Sequence, residues 1–285
     1  MKTVLVKNIK RDSLASQFYS IYEALRDVDF KDSISVNFEA KWLYPLMILP
    51  FCAYIQCIGG ENKNENNSYL NAINFPDGVS SVSEFQKKVQ RNKNFIPISV
   101  LKSTEEKNRG MLVDQLTDLI IKIINPTGEF SNNLTIPIFE MVDNISEHSK
   151  ANKGFIFAQY YPQGSYIDVC VVDCGRGFVN TYKEEKGIVF TDEEALAKVL
   201  QGFSAKKEKG RGEGICNSRR MICEGLLGEF ILASGSSVFV ANKEYPMGKV
   251  EFQPIHLPNF YWQGTIVAFR MPKPKKEFNF SEFFK

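Results

Sequence analysis

Thr135–Ser149 reads TIPIFEMVDNISEHS, and the rest of the chain is best understood by working outward from it. Ile138, Met141, Val142 and Ile145 fall at i, i+3, i+4 and i+7, the spacing of one apolar helix face. Glu140, Asp143, Asn144, Glu147 and His148 take the other face, where Glu140, Asn144 and His148 stack at four-residue steps. Taken alone, this is equally a surface helix with a solvated polar side. The chemical reading is a carboxylate one turn from an amide. Asn144 offers a side-chain oxygen to Mg²⁺, and Glu140 is placed to take a proton from a water or hydroxyl.

Downstream, Phe155–Tyr161 and Tyr166–Val172 are apolar runs joined by Pro162-Gln163-Gly164-Ser165, a hairpin signal. The second run leads into Asp173-Cys174-Gly175-Arg176-Gly177. A carboxylate at a strand end can accept a hydrogen bond from the exocyclic amine of adenine, and Gly175 and Gly177 let the backbone approach a base. A plain turn after a buried strand has the same sequence. Thr191 to Glu194 is a capping box opening a helix to about Gln201. GFSAKKEKGRGEGICNSRRM, Gly202–Met221, places Gly210, Gly212 and Gly214 before a helix that runs to about Leu227. Free amides at that helix start would cradle phosphate, with Lys206, Lys207, Lys209 and Arg211 adding positive charge. Gly264–Pro272 (GTIVAFRMP) is a glycine-started strand.

In order and spacing these pieces resemble the ATP-binding domain of the GHKL superfamily: gyrase B, heat-shock-90 chaperones, histidine kinases and MutL. EMVDN resembles the N box, DCGRG the first glycine box and KGRGEGI the lid and second glycine box. Ile215 departs from the usual leucine, and Glu213 puts an acid in the phosphate loop. The resemblance covers about 140 residues. It implies an α+β fold whose C-terminal part is a Bergerat-type sandwich, a mixed sheet covered by helices. It also implies ATP and Mg²⁺ as cofactors, Glu140 as catalytic base, Asn144 on the magnesium, Asp173 on adenine, and Thr265 supporting Asp173. Gly175, Gly177, Lys206, Lys207, Gly210, Arg211, Gly212 and Gly214 would complete the nucleotide site.

Upstream, Thr3–Ile9 and Ile34–Phe38 have strand character, Ser13–Leu25 has helical spacing, and Leu43–Ile58 reads as a hydrophobic helix. Gly59–Ser68 (GGENKNENNS) reads as a polar loop. The predicted organisation is a small α/β domain over 1–103, a connecting helix and loop over 104–130, the ATP-binding domain over 131–274, and an aromatic-rich tail over 275–285. Strand ISVNF followed by the apolar helix resembles a STAS domain, the fold of anti-sigma-factor antagonists. Leu43-Tyr44-Pro45 stands where those proteins carry their phosphorylated serine, so this unit is expected to bind a protein partner or to dimerise.

Composition narrows the classes. With 35 basic and 33 acidic residues, net charge is +2, which gives no reason to expect nucleic acid. Trp42–Ile58 is 17 residues with two prolines, short of a membrane span and better read as a buried helix. Six cysteines without a Cys-x-x-Cys pair suit reduced thiols in a cytoplasmic protein, and Cys174 reads as a packing residue. Two uses of ATP stay open. One is a signalling ATPase, or a kinase of a partner protein, with Glu140 as base. The other is a nucleotide-gated interaction module without turnover.

Overall fold

Charges break the apolar runs of two long strands at one point, Asp168 in β6 (Tyr166–Asp173) and Arg270 in β10 (Trp262–Pro272), and the fold pairs them across the ladder. The computed structural model describes residues 1–89, 93–124, 135–203, 214–241 and 253–273. It is an α+β protein with two sheets. β1 (Lys2–Val6), β2 (Ile34–Phe38) and β3 (Gly60–Asn62) form a parallel sheet. β4 (Ser99–Lys102), β5 (Lys153–Tyr161), β6, β10, β7 (Glu229–Gly235), β8 (Ser237–Ala241) and β9 (Ile255–His256) form the larger sheet in that order. The sequence leads one to expect a mixed sheet, but every pairing between these seven strands is antiparallel. Gly60–Asn62, read above as loop, instead pairs with β2, and Ser99–Lys102 hydrogen-bonds into the large sheet.

Helices α1 (Leu14–Leu25) and α2 (Pro45–Cys57) lie between the two sheets. α1 opens on Ser13, whose hydroxyl accepts from the Ser16 amide, a normal N-cap. α2 starts with proline in its first turn and is buried from Pro45 to Tyr54. Its apolar character all round follows from having a neighbour on each side. It packs along β5 and β6, so the helix that carries the STAS-like resemblance is covered within this chain. No helix among the described residues is long and apolar enough to cross a membrane.

The other face of the large sheet carries α6 (Ile136–His148), α7 (Gly177–Lys186), α8 (Asp192–Leu200) and α9 (Gly214–Arg220), while α3 (Ser68–Ala72), α4 (Val82–Lys88) and α5 (Glu106–Ile124) complete the chain. α8 has the predicted capping box, with Thr191 and Glu194 bonded reciprocally. α9 runs on into a π-helical turn, Met221–Gly225. Strand alternation keeps the two helical layers apart. Asp168 faces Gln17 of α1, whereas Val171, Asp173, Thr265 and Val267 face the opposite way. With both faces covered, β6 is buried from Ile167 to Asp173, and its sequence runs apolar without strict alternation. β1 has one open face and alternates.

Candidate functional site

On the face away from α1 and α2, a cleft is lined by residues of α6, β6, α7 and β10, with Phe203 and Ile215 at its rim. Its floor is Asp173, the last residue of β6, which is 1% exposed. One carboxylate oxygen accepts the Gly175 amide at 2.8 Å, and the other accepts the Thr265 hydroxyl from the paired position on β10. Burial pushes the Asp173 carboxyl up to about 6, and the Thr265 hydroxyl with the Gly175 and Thr265 amides holds it back. Taking a carboxylate out of water disfavours its charged form, so only this fixed ring of donors keeps it ionisable near neutrality.

The loop after Asp173 is built against the end of α6. Ser149 caps that helix, its hydroxyl donating to the Ile145 carbonyl at 2.6 Å, while its own carbonyl accepts the Arg176 amide at 2.8 Å. A Cβ on Gly175 would run into that Ser149 carbonyl, which is why glycine stands there. Gly177 opens α7 at φ 70°, and Gly177, Phe178, Thr181 and Tyr182 form one wall of the cleft. The Tyr182 hydroxyl donates to the Phe203 carbonyl, and the two rings stack at 5.7 Å with the Lys186 ammonium 4.5 Å over Phe203. These contacts fix the chain where it enters residues 204–213.

Across the cleft, Asn144 lines the wall, and its Nδ2 donates to the Glu140 carbonyl at 2.7 Å. The Glu140 carboxylate lies against the first residue of α9, close enough that a Cβ on Gly214 would overlap it. Of the residues singled out in the sequence, Glu140, Asn144, Asp173, Gly175, Gly177, Gly214 and Thr265 gather around this cleft and its rim. Lys206, Lys207, Gly210, Arg211 and Gly212 lie outside the described residues, as do the tail and the side chain of His148. Among the described residues, no group of three or more His, Cys, Asp or Glu side chains could hold a metal ion. The recess is partly open and small, about 60 Å³, room for about four to six waters at 10–15 Å³ each.

Trp262, the first residue of β10, is a further partner of the aspartate loop. It is fully buried, and its indole N–H donates to the Asp173 backbone carbonyl at 3.0 Å. Its ring meets Phe30 at 5.1 Å and Tyr54 at 6.3 Å, both from the N-terminal segment. The aspartate loop is therefore held from behind by the N-terminal half. Trp262→Phe keeps an aromatic ring but removes the donor to a buried carbonyl. We expect a loss of about 1–3 kcal/mol in urea unfolding, and a smaller loss would mean that another donor or water takes its place.

Compared with known proteins, the sequence matches no protein-family model and no curated protein.

Proposed function

We propose that this cleft binds the adenine nucleotide ATP with Mg²⁺, in the manner the GHKL resemblance implies. One observation carries the reading: a buried carboxylate at the floor of the cleft, clamped by a hydroxyl and an amide, with an aspartate pKa drawn towards neutrality. A buried, oriented acceptor of this kind serves little purpose in a core. At the end of a cleft it suits a ligand that brings its own N–H donor. Adenine does so through its exocyclic amine, and the apolar walls Met141, Ile145, Val171, Phe178 and Val267 suit a ring.

The residues present fit the group. Asp173 would accept from the base. Asn144 would supply the one protein oxygen for a magnesium ion held otherwise by phosphates and water, the usual sharing for this cation. Bound this way, the ion would supply charge neutralisation at the phosphates. Glu140, one turn before Asn144, is the group able to take a proton from a water or from a partner's hydroxyl. Its place beside Gly214 brings this base to the end of the segment, residues 204–213, whose lysines and glycines the sequence assigns to phosphate.

The test is calorimetry of ATP and ADP with Mg²⁺, with phosphate release from the same sample. Binding in the micromolar range supports the reading, and no binding removes it. Release then divides its two forms, a turning-over ATPase or kinase and a nucleotide-gated interaction module. Under the first, Glu140→Gln keeps ATP affinity within about twofold and loses at least about 100-fold in turnover, the scale of general-base catalysis. Unchanged turnover would remove Glu140 from the role of base.

A further inference from the structure

β1 is an outer strand of the small parallel sheet, paired only with β2 among the described residues. The Lys2 amide donates to the Ser33 carbonyl at 3.0 Å, and the Glu39 amide donates to the Val6 carbonyl at 3.0 Å. Backbone groups alternate along a strand, so Lys2, Val4 and Val6 turn theirs to β2. Thr3 and Leu5 turn their amides and carbonyls off the open edge, where no described strand meets them. Further on, the Lys7 carbonyl accepts the Ser20 hydroxyl of α1 at 3.0 Å, which closes the edge at that end. Alongside lies an open groove of about 780 Å³, walled by β1 and the residues up to Lys10 on one side and by α1 on the other.

We propose that this edge and groove take an extended, acidic peptide segment of a partner protein, added to the sheet as a strand beside β1. Main-chain hydrogen bonds to Thr3 and Leu5 hold it, the mode in which an open sheet edge recruits a peptide. Its alternate side chains lie over the exposed Leu5 and Tyr19 and against the small Ala15 and Ala24. Charge decides what kind of peptide fits. The charged residues lining the groove are Lys7, Lys10, Glu23 and Arg26. Glu23 and Arg26 pair with each other at 3.0 Å, whereas Lys7 and Lys10 have no acidic partner among the described residues. The surplus is positive and sits at the Lys7–Lys10 end, so the acidic side chains of the peptide belong there. A second copy of the chain fits less well. Edge-to-edge pairing would bring Lys2 and Lys7 of both chains together, and like charges across a ladder destabilise it.

Leu5→Pro separates strand addition from general adhesion to an apolar groove. The Leu5 amide faces outward, and proline is accepted on an edge strand where the missing N–H points to solvent. The β1–β2 ladder therefore keeps its bonds while the incoming strand loses a donor. α1, α2 and the large sheet separate the groove from the cleft, so binding at one can be tested without the other.

The full-length protein is titrated into fluorescent peptides of about ten residues, one alternating glutamate with valine and the other lysine with valine. Polarisation is read at low salt, where exposed charges are least screened. We expect the acidic peptide to bind about tenfold more tightly than the basic one, exposed ion pairs being set against repulsions. Methylating alternate amides of the acidic peptide should weaken binding about tenfold, and so should Leu5→Pro, since main-chain bonds carry the contact. The methylated peptide keeps the test valid should Leu5→Pro disturb the fold. Lys7→Glu combined with Lys10→Glu should reverse the order of the two peptides. Equal binding of the two peptides, or none, would overturn the acidic partner. Binding unmoved by methylation and by Leu5→Pro would overturn strand addition. A dimer in sedimentation that Leu5→Pro dissolves would make a second copy the occupant of the edge, and would overturn the proposal too.

Discussion

Asp173→Asn is expected to lose ATP affinity by at least about 100-fold and, at pH 7.5, to unfold at a higher temperature than the wild type. Affinity falls because the adenine amine needs an acceptor, and an asparagine that still accepts the Gly175 amide turns its NH₂ toward the ligand. Facing a donor with a donor leaves both unpaired, the most discriminating mismatch a polar site can make. Stability should rise because the same carboxylate is a burden to the fold. Its pKa moves from an ordinary 3.8 up to about 6. Below about pH 4 the group is protonated in both folded and unfolded chains and makes no difference. Between about 4 and 6 the folded state keeps a proton that the unfolded state has lost, so stability falls as pH rises through that window. Above it the whole penalty is present: 6 − 3.8 is 2.2 units, about 3 kcal/mol at 1.36 kcal/mol per unit.

Asparagine removes that penalty but keeps only the Gly175 amide as a donor to its oxygen, while the Thr265 hydroxyl must turn to accept from its NH₂, at a cost of about 1 kcal/mol. The net gain is about 1–2 kcal/mol, or several degrees in Tm for a chain of this size. Thermal melts of both proteins from pH 4 to pH 8 should show the wild type ahead by about 1 kcal/mol at the acid end, the curves crossing between about pH 4 and 6 and the variant ahead above that window. A variant less stable than the wild type at pH 7.5 would show that the carboxylate stabilises the fold on balance. Asp173 would then be an ordinary buried turn residue. Sites that trade stability for a poised charge are where local sequence rules are expected to fail.

The site was more legible than the architecture around it. Helix α6, the β5–β6 hairpin and the capping box of α8 each announce themselves within a dozen residues, because periodicity and turn chemistry are local signals. Asp173 and Thr265 could be paired only through the family resemblance. Their contact joins residues 92 apart, and nothing in either strand names its partner. In the N-terminal half, the surface that covers α2 is hidden for the same reason. Leu46–Tyr54 is apolar on every side, which says that α2 is covered all round but not by what. The answer, the back of the large sheet, makes the N-terminal segment a layer of the same structure. Gly60-Glu61-Asn62 lacks any β-forming side chain and is a strand only because β2 offers it an open edge. One long-range signal does stand in the sequence: an acid within the apolar run YIDVCVV and a base within IVAFRMP. A charge within an apolar strand needs a buried partner, and these two strands supply each other's.

That pair should give the largest single loss of stability in the molecule. Arg270 clasps Asp168 with two bonds of 2.7 Å, both side chains being almost wholly buried. It also reaches the Asp12 carboxylate at 2.8 Å and backbone carbonyl at 3.1 Å, and lies 3.9 Å over the Tyr166 ring. Gln17 adds a bond to Asp168 at 3.2 Å, so the cluster ties the first turn of α1 to the last strand of the sheet. Arg270→Met would fill most of the volume but leave Asp168 buried with only Gln17 for company. The expected cost is about 3–5 kcal/mol, that of uncompensated buried charge. Adding Asp168→Leu should restore much of it, since an apolar pair of similar volume does not face the desolvation that the ions do. Urea unfolding of the two single variants and the double closes the cycle, with a coupling of at least about 2 kcal/mol expected. The same experiment separates scaffold from site. Asp168 and Asp173 share a strand but face opposite ways, so the double variant should bind ATP as the wild type does. A loss below about 1 kcal/mol in Arg270→Met would mean that water reaches Asp168, and that the seam between α1 and the large sheet is held by apolar packing instead.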